Sequence, residues 1–547
     1  MLVTLDTTRA DALATYGGLR DTAPNLDALA AESLAYRRAR TVAPLTLPAH
    51  ASMFTGLYPP RNGVRGERPM VLTDAADTLA ERARWAGFET AGFPGSLALD
   101  EALGVAQGFR EWRQPDVGGE LAPGQVPERS AEDVVDSAIH WLGRRNPAQP
   151  FFLWVHLNDA RAPYSPALDL LDRPDPYLAE ISTMDRAFGR LLDALGKSRA
   201  IDSTLILVVG DHGEARGEHG ERGHGLRCSE ATLRVPFLVH YPDRWRAGEV
   251  SDEIVSVADV FPTALEFMGM PVPRDLDGRS LLHREVEPDR GVYFETYEGW
   301  QRFGWSPLTG WVDAAGKYVH GSRARFYRPD VDPGEDRDLI GAVDPAPYVE
   351  ALRRLEGAKR LESDNDFSVG AEVLADLAAA GHPAAADPPP ALPGLLDDTG
   401  RPLPTERQQE YADFTKAREL IFAGDHASAV PLLERICEEN PWNAVALDAL
   451  GSALVETHRY QRALPVLYRR LGLPPERVET HRDLVACFEA LGDADAAHRH
   501  SVRSLELLVR THERQHEKEK ARTARHLLEQ VRTGQLVGEA PPAEERP

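Results

Sequence analysis

The segment that organises this chain reads PLTLPAHASMFTG and spans residues 44–56. Pro48 fixes φ and lacks an N–H group, so it suits the first turn of a helix. Thr46 then lies at the start of that helix. There it faces free backbone N–H groups and the positive end of the helix dipole, which together form an anion site. Because a threonine at such a point is more often a simple helix cap, its role depends on what other segments bring to it.

Short apolar runs alternate with helical periodicity over the first 240 residues. The apolar runs at 2–5, 151–155 and 204–209 predict buried strands. Helices are predicted between them, among others at 131–144 and 177–196. This alternation predicts an α/β fold with a mostly parallel central sheet flanked by helices.

Three of the predicted strands lead into side chains that bind metal ions. The first leads to Asp6, the second to His156 and Asp159, and the third to Asp211 and His212. In open α/β sheets, ligands bind beyond the carboxyl ends of the strands. A hard cation held there by carboxylates and imidazole would lower the pKa of a nearby hydroxyl. We expect Asp6, Asp211 and His212 to bind the metal, and His156 to be a core histidine with a satisfied hydrogen bond.

A series of motifs makes residues 2–339 resemble the sulfatase branch of the alkaline phosphatase superfamily. They are TLDTTRAD (4–11), PNLD (24–27), the segment 44–59, GDHGEARGEHG (210–220), HG (224–225), LRVP (233–236), DVFPT (259–263) and DGRSL (277–281). The resemblance implies an alkaline-phosphatase-like fold closed by a small antiparallel subdomain. It also implies a divalent cation (Zn, Mn, Ca or Mg, with the identity left open) and a role for His224 at the substrate anion or the metal.

Four residues depart from the usual pattern of that family. A typical sulfatase has cysteine or serine where Thr46 stands, which is oxidised to formylglycine, and arginine where His50 stands. The pattern Thr-x-Pro-x-His instead resembles the threonine-nucleophile phosphodiesterases of the same superfamily. Thr7 replaces the second of two paired acids, and Arg161 replaces a histidine. Arginine binds tetrahedral anions but does not ligate metal, so a complete second metal site is not expected.

These residues predict a metal-dependent hydrolase of phosphoric or sulfuric esters. Thr46 is expected to attack phosphorus or sulfur, His224 and Arg161 to neutralise the developing charge, and water to cleave the covalent intermediate. Phosphodiesters and phosphomonoesters are favoured over sulfates, and the substrate is a small-molecule, glycan or lipid anionic ester. Two alternatives stay open. One is a transferase that passes the phospho group to a lipid or sugar hydroxyl, and the other is a catalytically impaired scaffold.

The last third of the chain carries a repeat with a period of 34 residues. Ala429, Ala463 and Ala497 share one column of the repeat. The pattern resembles the tetratricopeptide repeat and predicts an all-α solenoid that binds a protein partner.

The domain boundaries follow from the repeat and from a proline-rich stretch before it. They give a hydrolase domain over 1–345, a helical segment and proline-rich linker over 346–409, the repeats over 410–511, and a charged helix and tail over 512–547. We expect 410–511 to fold alone, and a chain ending near Pro404 to keep its hydrolase activity.

Composition and charge disfavour several classes of partner. The chain has 62 Lys and Arg against 86 Asp and Glu, a net charge of −24, which disfavours binding to nucleic acid or an anionic membrane. No stretch of eighteen apolar residues predicts a transmembrane helix. Three cysteines without a CxxC pair disfavour a disulfide-stapled fold. No signal peptide is recognised, so the localisation stays open between the cytoplasm and export from an upstream start.

Overall fold

The computed structural model describes residues 1–66, 70–115, 128–282, 290–362, 391–474, 476–514 and 518–533. By internal contacts these residues form two compact units. The sheet unit contains the described residues of 1–296, 308–362 and 394–398, and the helical unit contains those of 297–307, 391–393 and 399–533. Much of the predicted proline-rich linker and the predicted C-terminal tail lie outside the described residues.

Strands and helices alternate along the sheet unit as the sequence predicts. The strands are β1 (Leu2–Leu5), β2 (Leu34–Arg40), β3 (Glu89–Phe93), β4 (Glu111–Trp112), β5 (Phe151–Leu157), β6 (Ile206–Gly210), β7 (Ala215–Arg216), β8 (Arg222–Gly223), β9 (Phe237–His240), β10 (Val250–Ser256), β11 (Val292–Thr296), β12 (Leu308–Val312), β13 (Lys317–His320) and β14 (Arg325–Tyr327). The first ten helices are α1 (Pro24–Ala30), α2 (Thr46–Thr55), α3 (Pro59–Asn62), α4 (Leu79–Trp85), α5 (Ala131–Arg144), α6 (Pro176–Lys197), α7 (Glu230–Leu233), α8 (Val260–Phe267), α9 (Glu298–Phe303) and α10 (Ala346–Glu356).

An eight-stranded sheet forms the centre of this unit. Its strand order is β10-β2-β9-β6-β1-β5-β3-β4, and only β9 runs antiparallel to its neighbours. A separate four-stranded antiparallel sheet has the order β11-β12-β13-β14. The predicted fold class, a mostly parallel central sheet with a small antiparallel subdomain and a helical C-terminal region, is confirmed.

The two long helices α5 and α6 cover part of the central sheet. Trp141 of α5 and Phe188 of α6 are buried in one cluster with Val3, Val155 and Val208 of the sheet. Helix α5 begins after Ser130, whose side chain accepts a hydrogen bond from the N–H of residue 133, while α6 begins with a proline at its first residue. Both starts use standard capping chemistry. The apolar faces of these helices therefore hold the central strands in place.

The central strands end at the same level. β1 lies between β5 and β6 in parallel register, with Leu5 opposite both Leu157 and Gly210. Side chains that follow these residues therefore meet at one edge of the sheet. β5 extends two residues beyond its predicted end, so His156 lies inside the strand, opposite Thr4 of β1.

The helical unit continues the chain as a series of helices, each in contact with the next. They are α11 (Gln408–Phe422), α12 (His426–Glu439), α13 (Ala444–Glu456), α14 (Tyr460–Leu471), α15 (Val478–Leu491), α16 (Ala494–Arg514) and α17 (Lys518–Arg532). Helices α12, α14 and α16 begin 34 residues apart, at 426, 460 and 494. Ala429 and Ala463 are fully buried near the starts of their helices. The 34-residue repeat of the sequence therefore corresponds to the spacing between the first residues of these three helices.

One short segment of the predicted hydrolase domain belongs to the helical unit instead. Helix α9 lies between β11 and β12 in the chain, but the ring of Phe303 packs edge-on against those of Tyr411 and Phe414. Trp305 donates a hydrogen bond to the carboxylate of Glu410, at 3.1 Å. The apolar residues of α9 and the residues just after it thereby cover the first helices of the unit. A continuous boundary near residue 345 could not show this, because it assumes that each unit is one stretch of chain.

No helix among the described residues combines the length and the apolar character needed to cross a membrane.

Candidate active site

Thr46 is the first residue of helix α2, and its hydroxyl lies against His212. Thr46 Oγ1 is 3.2 Å from His212 Nε2, and His212 Nδ1 is 2.9 Å from the carbonyl oxygen of Gly213. Since a carbonyl oxygen only accepts hydrogen bonds, Nδ1 carries the proton of the neutral ring and Nε2 carries the lone pair. The Thr46 hydroxyl therefore donates to His212. Every residue of α2 is buried, which holds this hydroxyl in one place.

Asp6 and Asp211 meet where β1 and β6 end. One carboxylate oxygen from each, together with a ring nitrogen of His212, lie within 4.8 Å of one another. His212 Nε2 is 3.3 Å from Asp6 Oδ1 and 3.8 Å from Asp211 Oδ2. All three side chains are fully buried. The structure brings together the residues expected to bind a metal, while their role as ligands stays a prediction.

The two carboxyl groups have opposite pKa shifts. Burial raises the pKa of Asp6, but the neighbouring His212, His156 and Arg161 outweigh burial and hold that pKa below its ordinary value. Burial and the charge of Asp6 raise the pKa of Asp211 well above its ordinary value. Two buried carboxyl groups this close do not both ionise without a cation.

This acid pair fits a divalent cation. Among the described residues, neither oxygen of Asp6 nor Oδ2 of Asp211 accepts a hydrogen bond from a fixed donor. Buried polar atoms of this kind are normally paired. Carboxylate oxygens with an imidazole nitrogen suit several divalent ions, and the residue types do not select one of them.

A second buried cluster centres on the hydroxyl of Thr4. Thr4 Oγ1 is 3.0 Å from Trp154 Nε1, 3.0 Å from His50 Nε2 and 3.1 Å from His156 Nδ1. All four side chains are buried. His50 also places Nδ1 2.8 Å from the carbonyl oxygen of Thr46. The cluster therefore ties the start of α2 to the centre of the sheet.

His50 and His156 are site residues that the sequence analysis did not identify. Ring nitrogens of both lie within 4.8 Å of a carboxylate oxygen of Asp211. Burial lowers the pKa of His156 to about 4 and that of His50 well below its ordinary value, so both rings are neutral near pH 7. His156 is a buried core histidine whose Nδ1 bonds to Thr4, as expected, but among the described residues its Nε2 has no hydrogen-bond partner. For His50 the sequence offered one indication of a place in the site, because residues four apart in a helix lie on the same face and His50 follows Thr46 by four.

His224 and Arg161 also lie at this edge of the sheet. The ring centroid of His224 is 4.4 Å from that of His212, and its Nδ1 is 2.8 Å from a carboxylate oxygen of Glu214. Its side chain keeps 11% of its surface exposed. Arg161 is half-buried, and its charge contributes to the pKa shifts of Asp6 and His156. The structure thus gathers all six residues of the predicted site.

The side chains of two polar residues near the strand ends, Asp159 and Thr7, make hydrogen bonds to backbone groups. The carboxylate of Asp159 accepts hydrogen bonds at 2.9 and 3.1 Å from the N–H of Ala131, the first residue of α5. Thr7, which replaces the second paired acid, donates its hydroxyl to the carbonyl oxygen of Ala160 at 2.7 Å. Asp159 therefore stabilises a helix start, and Thr7 links the loops after β1 and β5.

Comparisons with known proteins agree with this fold and arrangement. Residues 1–270 match the family model described as Sulfatase. The arylsulfatase of Clostridium perfringens is 24% identical over 447 residues, which cover 65% of this chain and 92% of that protein. Human arylsulfatase A is 25% identical over 437 residues, covering 65% of this chain and 86% of that protein.

A solved structure with a similar fold covers the same share of the chain. The phosphonate monoester hydrolase of Agrobacterium radiobacter is 22% identical, with a TM-score of 0.54, over 65% of this chain and 94% of that one. This likeness concerns the fold, an α/β architecture with a mostly parallel central sheet. The sulfatase model thus covers residues 1–270, and the relatives that match this chain include arylsulfatases, which supports a sulfatase-family hydrolase.

Proposed function

We propose that this protein is a metal-dependent hydrolase that cleaves anionic esters through a covalent intermediate on Thr46, with phosphoric esters preferred over sulfuric ones. One observation carries the proposal: the Thr46 hydroxyl lies at the start of a buried helix, 3.2 Å from His212 Nε2 and beside the Asp6–Asp211 pair. Relatives named as arylsulfatases and a neighbour named as a phosphonate monoester hydrolase support this class of substrate.

Asp6, Asp211 and His212 would hold the divalent cation. Bound there, the ion supplies Lewis-acid stabilisation of negative charge on the nucleophile and the ester. Both carboxylates are fully buried, which would strengthen their attraction for the ion. The identity of the ion, among zinc, manganese, calcium and magnesium, is left to experiment.

The chain's own residues supply the nucleophile and part of the charge stabilisation. Thr46 Oγ1 gives its proton to solvent water and forms a bond to phosphorus, while the bond between phosphorus and the ester oxygen breaks and that oxygen leaves as an alcohol or phenol with a proton from solvent water. The free N–H groups at the start of α2 face the resulting charge. His224, oriented by Glu214, and Arg161 add positive charge to the same side of the site. Water then attacks phosphorus, which releases phosphate and restores the Thr46 hydroxyl.

The preference for phosphoric esters follows from the residue at the nucleophile. Thr46 cannot become formylglycine, and its sulfate ester would have no easy release route. A phosphothreonine can be cleaved by water in the same site. Arg161 adds a fixed positive charge, which favours the transition state with more negative charge.

We also propose that the helical unit is a tetratricopeptide-like module that binds a protein partner. The support is the spacing of 34 residues between the starts of α12, α14 and α16. Stacked repeats of this size form extended concave surfaces that bind other proteins.

The test of the main proposal is a panel of matched aryl substrates. Metal-loaded protein is assayed with an aryl phosphomonoester, an aryl phosphodiester and an aryl sulfate that share one leaving group. We expect the better phosphoric ester to exceed the sulfate in kcat/KM by at least about two decades, or roughly 3 kcal/mol. A clear preference for the sulfate would contradict the proposal and require another nucleophile. Adding an alcohol and analysing products distinguishes hydrolysis from transfer.

A further inference from the structure

We propose that His156 is a fourth protein ligand of the cation held by Asp6, Asp211 and His212, and that Thr4 is the positioning residue that presents it. This inference rests on the proposed function, because it concerns the same cation. It changes the ligand set from one imidazole to two.

His156 lies at the right distance from the acid pair. Its Nε2 is 3.9 Å from Asp6 Oδ2, and a ring nitrogen of His156 lies within 4.8 Å of an oxygen of Asp211. Donor atoms around one tetrahedral zinc ion, with bonds of about 2.0–2.2 Å, lie roughly 3.4 Å apart. Among the three expected ligands the distances are of the same size: His212 Nε2 is 3.3 Å from Asp6 Oδ1 and 3.8 Å from Asp211 Oδ2. The ligand atoms of His156 group with Asp211 and His50, while Asp6 and His212 group with Asp211, so a shared ion would require His156 Nε2 to move towards the Asp6–Asp211 pair.

The hydrogen bonds around Thr4 determine which nitrogen of His156 carries a lone pair. The carbonyl oxygen of Thr46 only accepts, so His50 Nδ1 carries the proton, and Nε2 of the neutral ring accepts from Thr4 Oγ1. The single proton of Thr4 is then used. Trp154 Nε1 is only a donor, so Thr4 accepts from it. The remaining contact requires His156 Nδ1 to donate to Thr4. The lone pair of neutral His156 therefore lies on Nε2.

The lone pair of His156 Nε2 is a buried acceptor, so it requires a hydrogen-bond donor or a cation as its partner. His156 Nε2 is fully buried, and the part of the chain that the structure describes offers it no hydrogen-bond partner. A cation would satisfy it together with the unpaired oxygens of Asp6 and Asp211. A histidine contributes a ligand atom without adding to the negative charge of the pair.

His50 does not fit the same role. It lies within the same 4.8 Å group as His156 and Asp211. Its Nδ1, however, donates to the carbonyl oxygen of Thr46, and its Nε2 accepts from Thr4. Nε2 of His156 has no such partner among the described residues, so of these two histidines His156 is the one whose lone pair is available to the cation.

The test counts imidazole ligands and measures metal affinity, with no assay of turnover. Full-length protein is loaded with Zn²⁺ alone and studied by X-ray absorption, and the Kd is measured by chelator competition. We expect two imidazoles in the wild type and one in His156→Ala, with a Kd for Zn²⁺ at least about tenfold higher. His140→Ala, which removes an exposed histidine of α5, is the matched control and keeps both values.

A second variant tests the role of Thr4. Thr4→Val keeps the shape of the side chain but removes the hydroxyl that fixes the His156 tautomer, so we expect weaker Zn²⁺ binding with a disordered second imidazole. This readout also serves if His156→Ala does not fold. One imidazole in the wild type, or unchanged imidazole count and Kd in the foldable variants, would overturn the inference. Failure of the wild type to bind any divalent ion would instead refute the proposed function.

Discussion

Thr46 uses its hydroxyl and its backbone for two separate contacts. The hydroxyl donates to His212, and the carbonyl oxygen accepts from His50 one turn further along α2. His50 in turn contacts Thr4 in the central strand. His50 therefore has a structural role, because it fixes the start of the helix that carries the proposed nucleophile.

The first prediction at the scale of single residues concerns the nucleophile. Thr46→Ala should lower kcat by at least about 10³-fold, because no hydroxyl remains to form the intermediate. Thr46→Ser should keep part of the activity, because its hydroxyl survives. Metal content and the melting temperature of both variants should stay near those of the wild type. Turnover of Thr46→Ala at the wild-type rate would remove this residue from the mechanism.

The second concerns the metal ligands. Asp211→Asn and His212→Ala should lose bound metal and melt at a lower temperature than the loaded wild type, because an ion that binds only the folded state stabilises it. Elemental analysis and thermal melts with and without chelator measure both effects. Asp136→Asn, an exposed carboxylate on α5, is the matched control. Equal metal content in all three variants would refute the assignment.

At the scale of secondary-structure elements, the sequence predicted that Asp6, Asp211 and His212 lie together, because this prediction needed only the positions of strand ends. One buried apolar segment is followed by Asp6 and another by Asp211. Because the two parallel strands end at the same level of the sheet, this is enough to predict that the two side chains meet. The position of His156 inside β5 was not predicted, because the strand continues to Leu157 and a short apolar run does not show where a strand stops. The pairing of Thr4 with His156 depends on register, which no single segment contains.

The loop that carries His224 contains a buried acid that makes stability depend on pH. Burial raises the pKa of Glu221 to about 7, and its Oε2 has no hydrogen-bond partner among the described residues. Because the folded state binds this proton more tightly than the unfolded chain, the stabilisation is complete below about pH 4.5 and is lost as pH rises through about 7.

Glu221→Gln should therefore reduce the pH dependence of stability. In the wild type we expect this group to lower the free energy of unfolding by about 2–3 kcal/mol between pH 5 and pH 8. The glutamine variant keeps an acceptor for the N–H of Leu226 but does not titrate. Urea denaturation at several pH values measures the difference, with Glu132→Gln, an exposed residue, as the control. Identical pH profiles for the wild type and Glu221→Gln would contradict this role.

At the scale of the whole molecule, the two units are not consecutive pieces of chain. Segment 297–307, between β11 and β12, packs within the helical unit. Asn440 donates hydrogen bonds to the carbonyl oxygen of Phe303, at 2.9 Å, and to Glu410, at 2.6 Å. The period of 34 predicted the helices themselves, because repeats are local. The insertion was missed because α9 has no counterpart in the repeat.

This insertion changes what we expect from a truncated chain. A chain ending near Pro404 keeps α9 but loses Glu410 and Phe414, so Phe303 and Trp305 would be left without their partners. We expect this truncation to be less soluble and to melt at a lower temperature than the full chain, because newly exposed aromatic surface favours association.

The matched variant for this last prediction is a chain ending at Leu471. It loses the later helices but keeps α11 to α14, and with them Glu410 and Phe414, the partners of Phe303 and Trp305. If the contacts of α9 matter, the longer truncation should remain soluble and keep the hydrolase activity of the full chain, whereas the shorter one should be less soluble and therefore less active. Substituting Phe303 and Trp305 with serine in the shorter chain should then restore part of its solubility, because the exposed aromatic rings are gone. Equal solubility and activity of the two unsubstituted truncations, measured by light scattering and aryl ester turnover, would show that the sheet unit folds independently of α9.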